Sequence, residues 1–275
     1  MIIDSHIHIT SPEISKNPEV ICRKEPYFAL LAEAPANKYA DADEINAMMA
    51  ACDIEKSIVF GFSFMDMGLC REANDYTAYA IKKYPNFIGF MSVSPTDKGA
   101  EAEIDRCLKL GLTGIGEIFP DGQNFPIDDE NVTYKFCGLL KERGLPVIVH
   151  TNEPVGHMYP GKTSTTPEKA YKFAKSNPGL KILFAHFGGG LLFYELMPEV
   201  KKTLKDVFYD TAAMPFLYDK AIYDTAKSLG IMDKLVFGSD FPLLSPKRYL
   251  NDINLDKNDS DKLFRGNILR FLEQT

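Results

Sequence analysis

Short runs of apolar residues, rich in β-branched and aromatic side chains, recur along the chain. They fall at Ile2–His6, Ser57–Phe62, Phe87–Val93, Thr113–Ile118, Pro146–His150, Lys181–His186, Val207–Asp210 and Lys234–Asp240. Continuous apolar runs of this length predict strands buried on both faces, as in a parallel sheet. Helical periodicity fills the intervals, at Ala42–Cys52, Arg71–Lys83, Ala100–Leu110, Asn131–Arg143, Pro167–Ser176, Leu191–Lys205, Asp219–Leu229 and Lys257–Leu272. Pro167 stands near a helix start with Thr166 in position to cap it. Gly111, Gly144 and Gly230 follow helical runs, where a C-terminal glycine belongs.

Eight strands, each followed by a helix, imply βαβ units. Most strand starts lie 26 to 35 residues apart, which predicts a closed (β/α)8 TIM barrel of the α/β class rather than an open doubly wound sheet. Neither a GxGxxG nor a Walker loop is present to argue for an open nucleotide-binding sheet. The interval between the first two strands exceeds the others by about 25 residues. The extra chain, from Thr10 to about Ala40, carries prolines 12, 18, 26 and 35. An insertion of this length serves either as a lid or as a structural flap. A length of 275 residues suits a single barrel domain over 1–275.

A net charge of -7 argues against a nucleic-acid partner. Five cysteines, an odd number with no CxxC pair, fit reduced and mostly buried thiols better than a disulfide framework or a thiolate zinc site. No apolar run approaches the roughly 20 residues that span a bilayer, and the N-terminus lacks the basic region and cleavage site of a signal peptide. A cytoplasmic protein with no membrane partner is expected.

In a barrel the strand C-terminal ends form the active face, and here those ends are uniform in kind. Strand 1 ends in His6 and His8, strand 4 in Glu117, strand 5 in His150, strand 6 in His186 and strand 8 in Asp240. Residues two apart on a strand share a face, so the imidazoles of His6 and His8 can meet one ion. Imidazole and carboxylate donors without thiolate suit zinc first, with manganese, iron or cobalt as alternatives. Asp240 is the candidate general base toward a metal-activated water. Asp4, in phase with the two histidines, either orients a ligand histidine or is a buried structural carboxylate.

Asp4-Ser-His6-Ile-His8, Val149-His150, Ala185-His186 and Gly238-Ser-Asp240-Phe-Pro together resemble the amidohydrolase superfamily. Within it the chain is most similar to the amidohydrolase 2 branch, which holds both hydrolases and non-oxidative decarboxylases. The tail Arg265-Gly-Asn267-Ile-Leu-Arg-Phe-Leu and the insertion after strand 1 resemble the same branch. The resemblance implies a zinc-dependent barrel enzyme with His6, His8, His150, His186 and Asp240 at the ligand and base positions. Many members carry a carboxylated lysine at the end of strand 4, where this chain has Glu117. A glutamate there bridges two ions directly, or else supports the site without binding metal.

The expected activity is therefore metal-dependent hydrolysis of an amide, lactone or ester bond of a small molecule, with one or two ions. The alternative is a lyase, a decarboxylase or hydratase of a carboxylated small molecule. The resemblance is compatible with a homodimer. His157, Tyr159 and Lys162, in the loop after His150, are candidates for substrate binding, as is Arg23 in the insertion. The apolar loop Thr211-Ala-Ala-Met-Pro-Phe suits a pocket wall. Phe187-Gly-Gly-Gly190 allows either close approach of a ligand or a tight turn.

Overall fold

The computed structural model describes residues 1–273; the last two residues of the expected domain lie outside the described ones. Eight parallel strands form a (β/α)8 barrel: β1 (Ile2–His8), β2 (Ile54–Phe60), β3 (Phe87–Gly89), β4 (Ile115–Ile118), β5 (Val147–Val149), β6 (Ile182–Phe184), β7 (Val207–Asp210) and β8 (Leu235–Val236). Each pairs with its neighbour in sequence order. Two bridges, Met91 with Ile115 and Ile7 with Phe241, join β3 to β4 and β8 back to β1. Closure of this kind leaves no open edge. The lumen is filled by Ile3, Ile58, Phe60, Phe90, Ile148, Leu183 and Val236, and the helix Asn267–Leu272 adds Ile268 and Phe271 to the same cluster.

Several strands are shorter than the apolar runs predict, because the strand ends turn into the loops that carry the site. Beyond the short β8 the chain still bonds to β1, with Asp240 N–H donating to the His6 carbonyl and Ser5 N–H to the Phe237 carbonyl. The predicted helices are present with shifted ends. The helix Met67–Lys83 begins four residues early because the Asp66 carboxylate accepts from the backbone of Gly68 and Leu69. At Pro167–Ser176, Thr166 takes the extended cap conformation but its side chain makes no capping bond. The predicted helix over Leu191–Lys205 is broken. An irregular helical segment ends at Leu196, and Pro198 starts a separate helix, Pro198–Thr203, whose first turn tolerates the missing N–H. The last predicted helix divides at a wide turn over Lys262–Gly266. Four of the five cysteines are buried and all are free thiols.

The insertion folds as three short helices, Pro12–Lys16, Pro18–Cys22 and Pro26–Glu33, each with a proline in its first turn. It is fastened over the barrel mouth from inside. The buried Glu25 carboxylate accepts from the backbone N–H groups of Met65 (3.1 Å) and Asp66 (2.8 Å) in the loop after β2. Phe28 packs edge-on against Phe62, with ring centroids 5.3 Å apart.

After β6 the backbone enters a left-handed turn: His186, Phe187, Gly188, Gly189 and Gly190 all have positive φ. At Gly189 the need for glycine is double. Its φ is +59°, and a Cβ there would lie 2.3 Å from the Asn152 carbonyl oxygen. Gly189→Ala is expected to destabilise the fold by about 3 kcal/mol, measured as a drop in the urea midpoint; a loss under about 0.5 kcal/mol would contradict the close approach.

Candidate metal centre

Six side chains from five strand ends converge at the mouth. In a first group, His6 Nε2 lies 3.3 Å from His8 Nε2 and 3.8 Å from Asp240 Oδ1, with 3.5 Å between His8 Nε2 and Asp240 Oδ1. In a second, His150 Nδ1 lies 3.1 Å from Glu117 Oε1 and 3.2 Å from His186 Nε2, with 3.7 Å between His186 Nε2 and Glu117 Oε1. Glu117 joins the two: its other oxygen is 3.9 Å from His8 Nε2. Donors about 2.1 Å from one ion lie roughly 3.0 to 4.2 Å from one another, so each group has the spacing of a single coordination shell.

The tautomers follow from the surroundings. His6 Nδ1 donates to Asp210 Oδ2 at 2.9 Å, His186 Nδ1 to the Ala212 carbonyl at 3.0 Å, and His150 Nε2 to Asn152 Oδ1 and the Gly161 carbonyl, both at 3.0 Å. Each ring thereby spends its N–H outward. The opposite nitrogens are left as lone-pair acceptors, buried and facing one another and two carboxylates. Acceptors confronting acceptors in a buried site are costly unless a proton or a cation joins them. The residues thus fit a divalent ion in either group, with Glu117 able to contribute one oxygen to each.

The charge balance points the same way. Burial opposes ionisation of Glu117, yet His150, His6 and His186 hold its carboxyl well below the usual range. Burial also works against a charge on His6, but Asp210, Glu117 and Asp240 together raise it to about 10, and Glu117 raises His150 against the same penalty. His8, where burial prevails, is lowered to about 4. The carboxylates draw positive charge into the centre, a demand that a divalent cation meets without protons.

The positions that orient the candidate ligands were not visible in the sequence. Asp210, fully buried at the end of β7, holds His6 through Oδ2 and accepts the backbone N–H groups of His186 and Ala212 through Oδ1. Asp4 does not take this part. Its Oδ1 accepts from the His6 and Ser239 backbone, tying β1 to the loop after β8, and burial pushes its carboxyl up to about 7. Phe62 stacks on His8, with centroids 5.0 Å apart and planes 15° from parallel.

Above the centre opens a cavity of about 480 Å³. His157 and Tyr159 line it, and Tyr159 Oη accepts from Asn152 Nδ2 at 2.9 Å. Lys162 and Arg23 are not among its lining residues: Lys162 Nζ donates to the carbonyls of Val155 and His157 within its own loop, and Arg23 is exposed. The apolar loop after β7 forms one wall through Ala213, Pro215, Phe216 and Leu217. Tyr27, Phe28 and Leu31 of the insertion, with Phe62 and Phe119, line it too, a contribution that no local motif marks.

The family model described as Amidohydrolase matches residues 3–274. The chain belongs to the amidohydrolase family. No curated protein matches this amidohydrolase. Solved structures share its fold over nearly their whole length. The 5-carboxyvanillate decarboxylase of Novosphingobium aromaticivorans, complexed with manganese and 4-hydroxy-3-methoxy-5-nitrobenzoic acid, is 17% identical over 99% of this chain and 96% of that one, with a TM-score of 0.78. A 2,6-dihydroxybenzoate decarboxylase complexed with 2,6-dihydroxybenzoate is 20% identical over 98% of both chains, with a TM-score of 0.71. A probable 2-pyrone-4,6-dicarboxylic acid hydrolase of Acinetobacter baumannii is 15% identical over 98% of both, with a TM-score of 0.64. Among the described residues of this amidohydrolase, no helix is long and apolar enough to cross a membrane.

Replacing Asp210 with Asn should lower divalent-ion affinity about 10- to 100-fold, measured by competition with a chromophoric chelator. Unchanged affinity would remove Asp210 from the centre. Stripping the ion should lower the melting temperature, and adding back zinc or manganese should restore it.

Proposed function

We propose that this amidohydrolase is a metal-dependent lyase that removes a carboxyl group, as carbon dioxide, from an aromatic small molecule. The observation that carries this reading is the wall of the cavity. The polar groups His8, Glu117, His150, His186 and Asp240 share its lining with the aromatic Tyr27, Phe28, Phe62, Phe119 and Phe216. A flat, ring-bearing acid matches an aromatic wall beside a group of side chains that would hold a divalent cation. The decarboxylases that share the fold act, by name, on carboxylated phenols, which supports the lyase reading over the hydrolase expected from sequence. Zinc is the first choice for this donor set, with manganese supported by the ion in the 5-carboxyvanillate decarboxylase.

A divalent ion supplies Lewis-acid polarisation of the substrate oxygens when bound. His6 and His8 beside Asp240, or Glu117 with His150 and His186, would hold it, and Asp210 and Asn152 keep the imidazoles turned inward. The aromatic wall excludes water and sets the ring over Asp240. When the carbon–carboxyl bond breaks, its electron pair stays on the ring carbon and carbon dioxide leaves. Asp240 Oδ1 takes the acid proton of the incoming substrate and returns it to that carbon, so that the acid is converted to the ring hydrocarbon and carbon dioxide with no other reactant.

One observation favours a second reading. Glu117 offers one oxygen to each ligand group, as a carboxylate bridging two ions does. A two-ion centre suits hydrolysis of an amide, lactone or ester, with Asp240 Oδ1 taking the proton of the attacking water.

The test is to incubate the zinc- and manganese-loaded protein with hydroxybenzoates and carboxylated phenols and to trap carbon dioxide. One equivalent per substrate consumed is expected, and Asp240→Asn should cut kcat by about 10²- to 10⁴-fold while the ion stays bound. Hydrolysis of lactones or amides at two ions per chain, without release of carbon dioxide, would transfer the assignment to the second reading.

A further inference from the structure

The cavity is too large for the site at its floor. A cavity of about 150 Å³ lined by aliphatic and aromatic side chains accommodates a benzene ring, and this one measures about 480 Å³. The residues of the candidate metal centre are only five of those that line it. Tyr27, Leu31 and Ala34 of the insertion, Pro215 and Leu217 of the loop after β7, and Leu243 of the loop after β8 line the same cavity. Tyr27, Leu31, Ala34, Pro215, Leu217 and Leu243 are all half-buried. Away from the metal centre the lining holds the polar side chains of His157, Tyr159, Asn37 and Ser63 and two carrying a formal charge. Glu25 has both oxygens occupied by backbone N–H groups, and Lys38 is exposed at the end of the insertion. An apolar chamber continuous with a polar floor is built for a ligand with two parts.

We infer that the ligand of this amidohydrolase is a bipartite acid: a carboxylated ring seated at the metal centre, joined to a second apolar unit about the size of another ring that fills the chamber under the insertion. The head-group half of this statement rests on the lyase reading; the chamber does not. The insertion is then a specificity element. It supplies the wall that selects for ligand length, and a compact monocyclic acid leaves that wall uncovered.

Calorimetric titration of the zinc-loaded, full-length protein tests this without relying on turnover, using benzoate, 4-phenylbenzoate and biphenyl as probes. 4-Phenylbenzoate should bind at least about tenfold more tightly than benzoate. Leu31→Trp and, separately, Ala34→Phe fill the chamber, and each should collapse that ratio toward one. Equal affinities for the two acids in the unaltered protein would overturn the inference, as would a ratio that survives both substitutions. If biphenyl binds as tightly as 4-phenylbenzoate, the chamber stands and the carboxylate head-group reading fails. A dimer seen by light scattering, dissociated by Leu31→Trp in a protein that binds none of the probes, would assign the chamber to a second copy of the chain and overturn the proposal.

Discussion

Everything at the barrel mouth depends on how the imidazole N–H groups are spent. A neutral imidazole has one donor and one acceptor. In this chain the donors of His6, His150 and His186 are bound to Asp210, to Asn152 with the Gly161 carbonyl, and to the Ala212 carbonyl. Those partners are fixed backbone or buried side chains, so the inward nitrogens have no freedom to turn away. Buried lone pairs that face carboxylates are costly unless a cation joins them. The cost is accepted in five separate strand ends at once. That is hard to reconcile with a barrel core selected for stability alone, and it fits a site suited to receive a cation.

That balance was partly legible in the sequence. The two-residue spacing of His6 and His8 fixes their common face, and the rule that strand C-terminal ends form the active face gathers Glu117, His150, His186 and Asp240 beside them. Both arguments are local or depend only on element order. The orienting residues have neither advantage. Asp210 is an ordinary acid at the end of an apolar run, and nothing near it in sequence announces that it meets His6, 204 positions away. Asp4 carried the more suggestive spacing, yet the register of β1 shifts between Asp4 and Ile7 and its carboxylate turns to the backbone instead. Lys162 and Arg23 show the same limit on the substrate side. Whether a loop cation faces a pocket depends on which carbonyls its own loop leaves bare, and Lys162 finds two of them.

The insertion was legible as extra length but not as chemistry. Its prolines predict short segments, and three short helices are what form. Its place over the mouth depends on tertiary contacts that leave no periodic trace. A buried carboxylate that accepts two backbone N–H groups is a strong, directional fastening, and Glu25 provides it for the insertion. The aromatic contact from Phe28 to Phe62, and the stacking of Phe62 on His8, then form a continuous packed line from the insertion to a ligand nitrogen.

The opposite side of the mouth is built on the same logic with different materials. The left-handed turn after β6 brings Gly189 against the Asn152 backbone, closer than any side chain permits. Asn152 in turn holds His150 through Oδ1 and Tyr159 through Nδ2. A run of glycines beside His186, ambiguous in sequence between a ligand approach and a tight turn, is therefore a packing requirement. It lets the strand 5 and strand 6 loops sit close enough for one asparagine to orient a ligand and a cavity-lining phenol together. The candidate metal site and the cavity wall are set by a shared framework, so a change that loosens one of these loops disturbs both jointly.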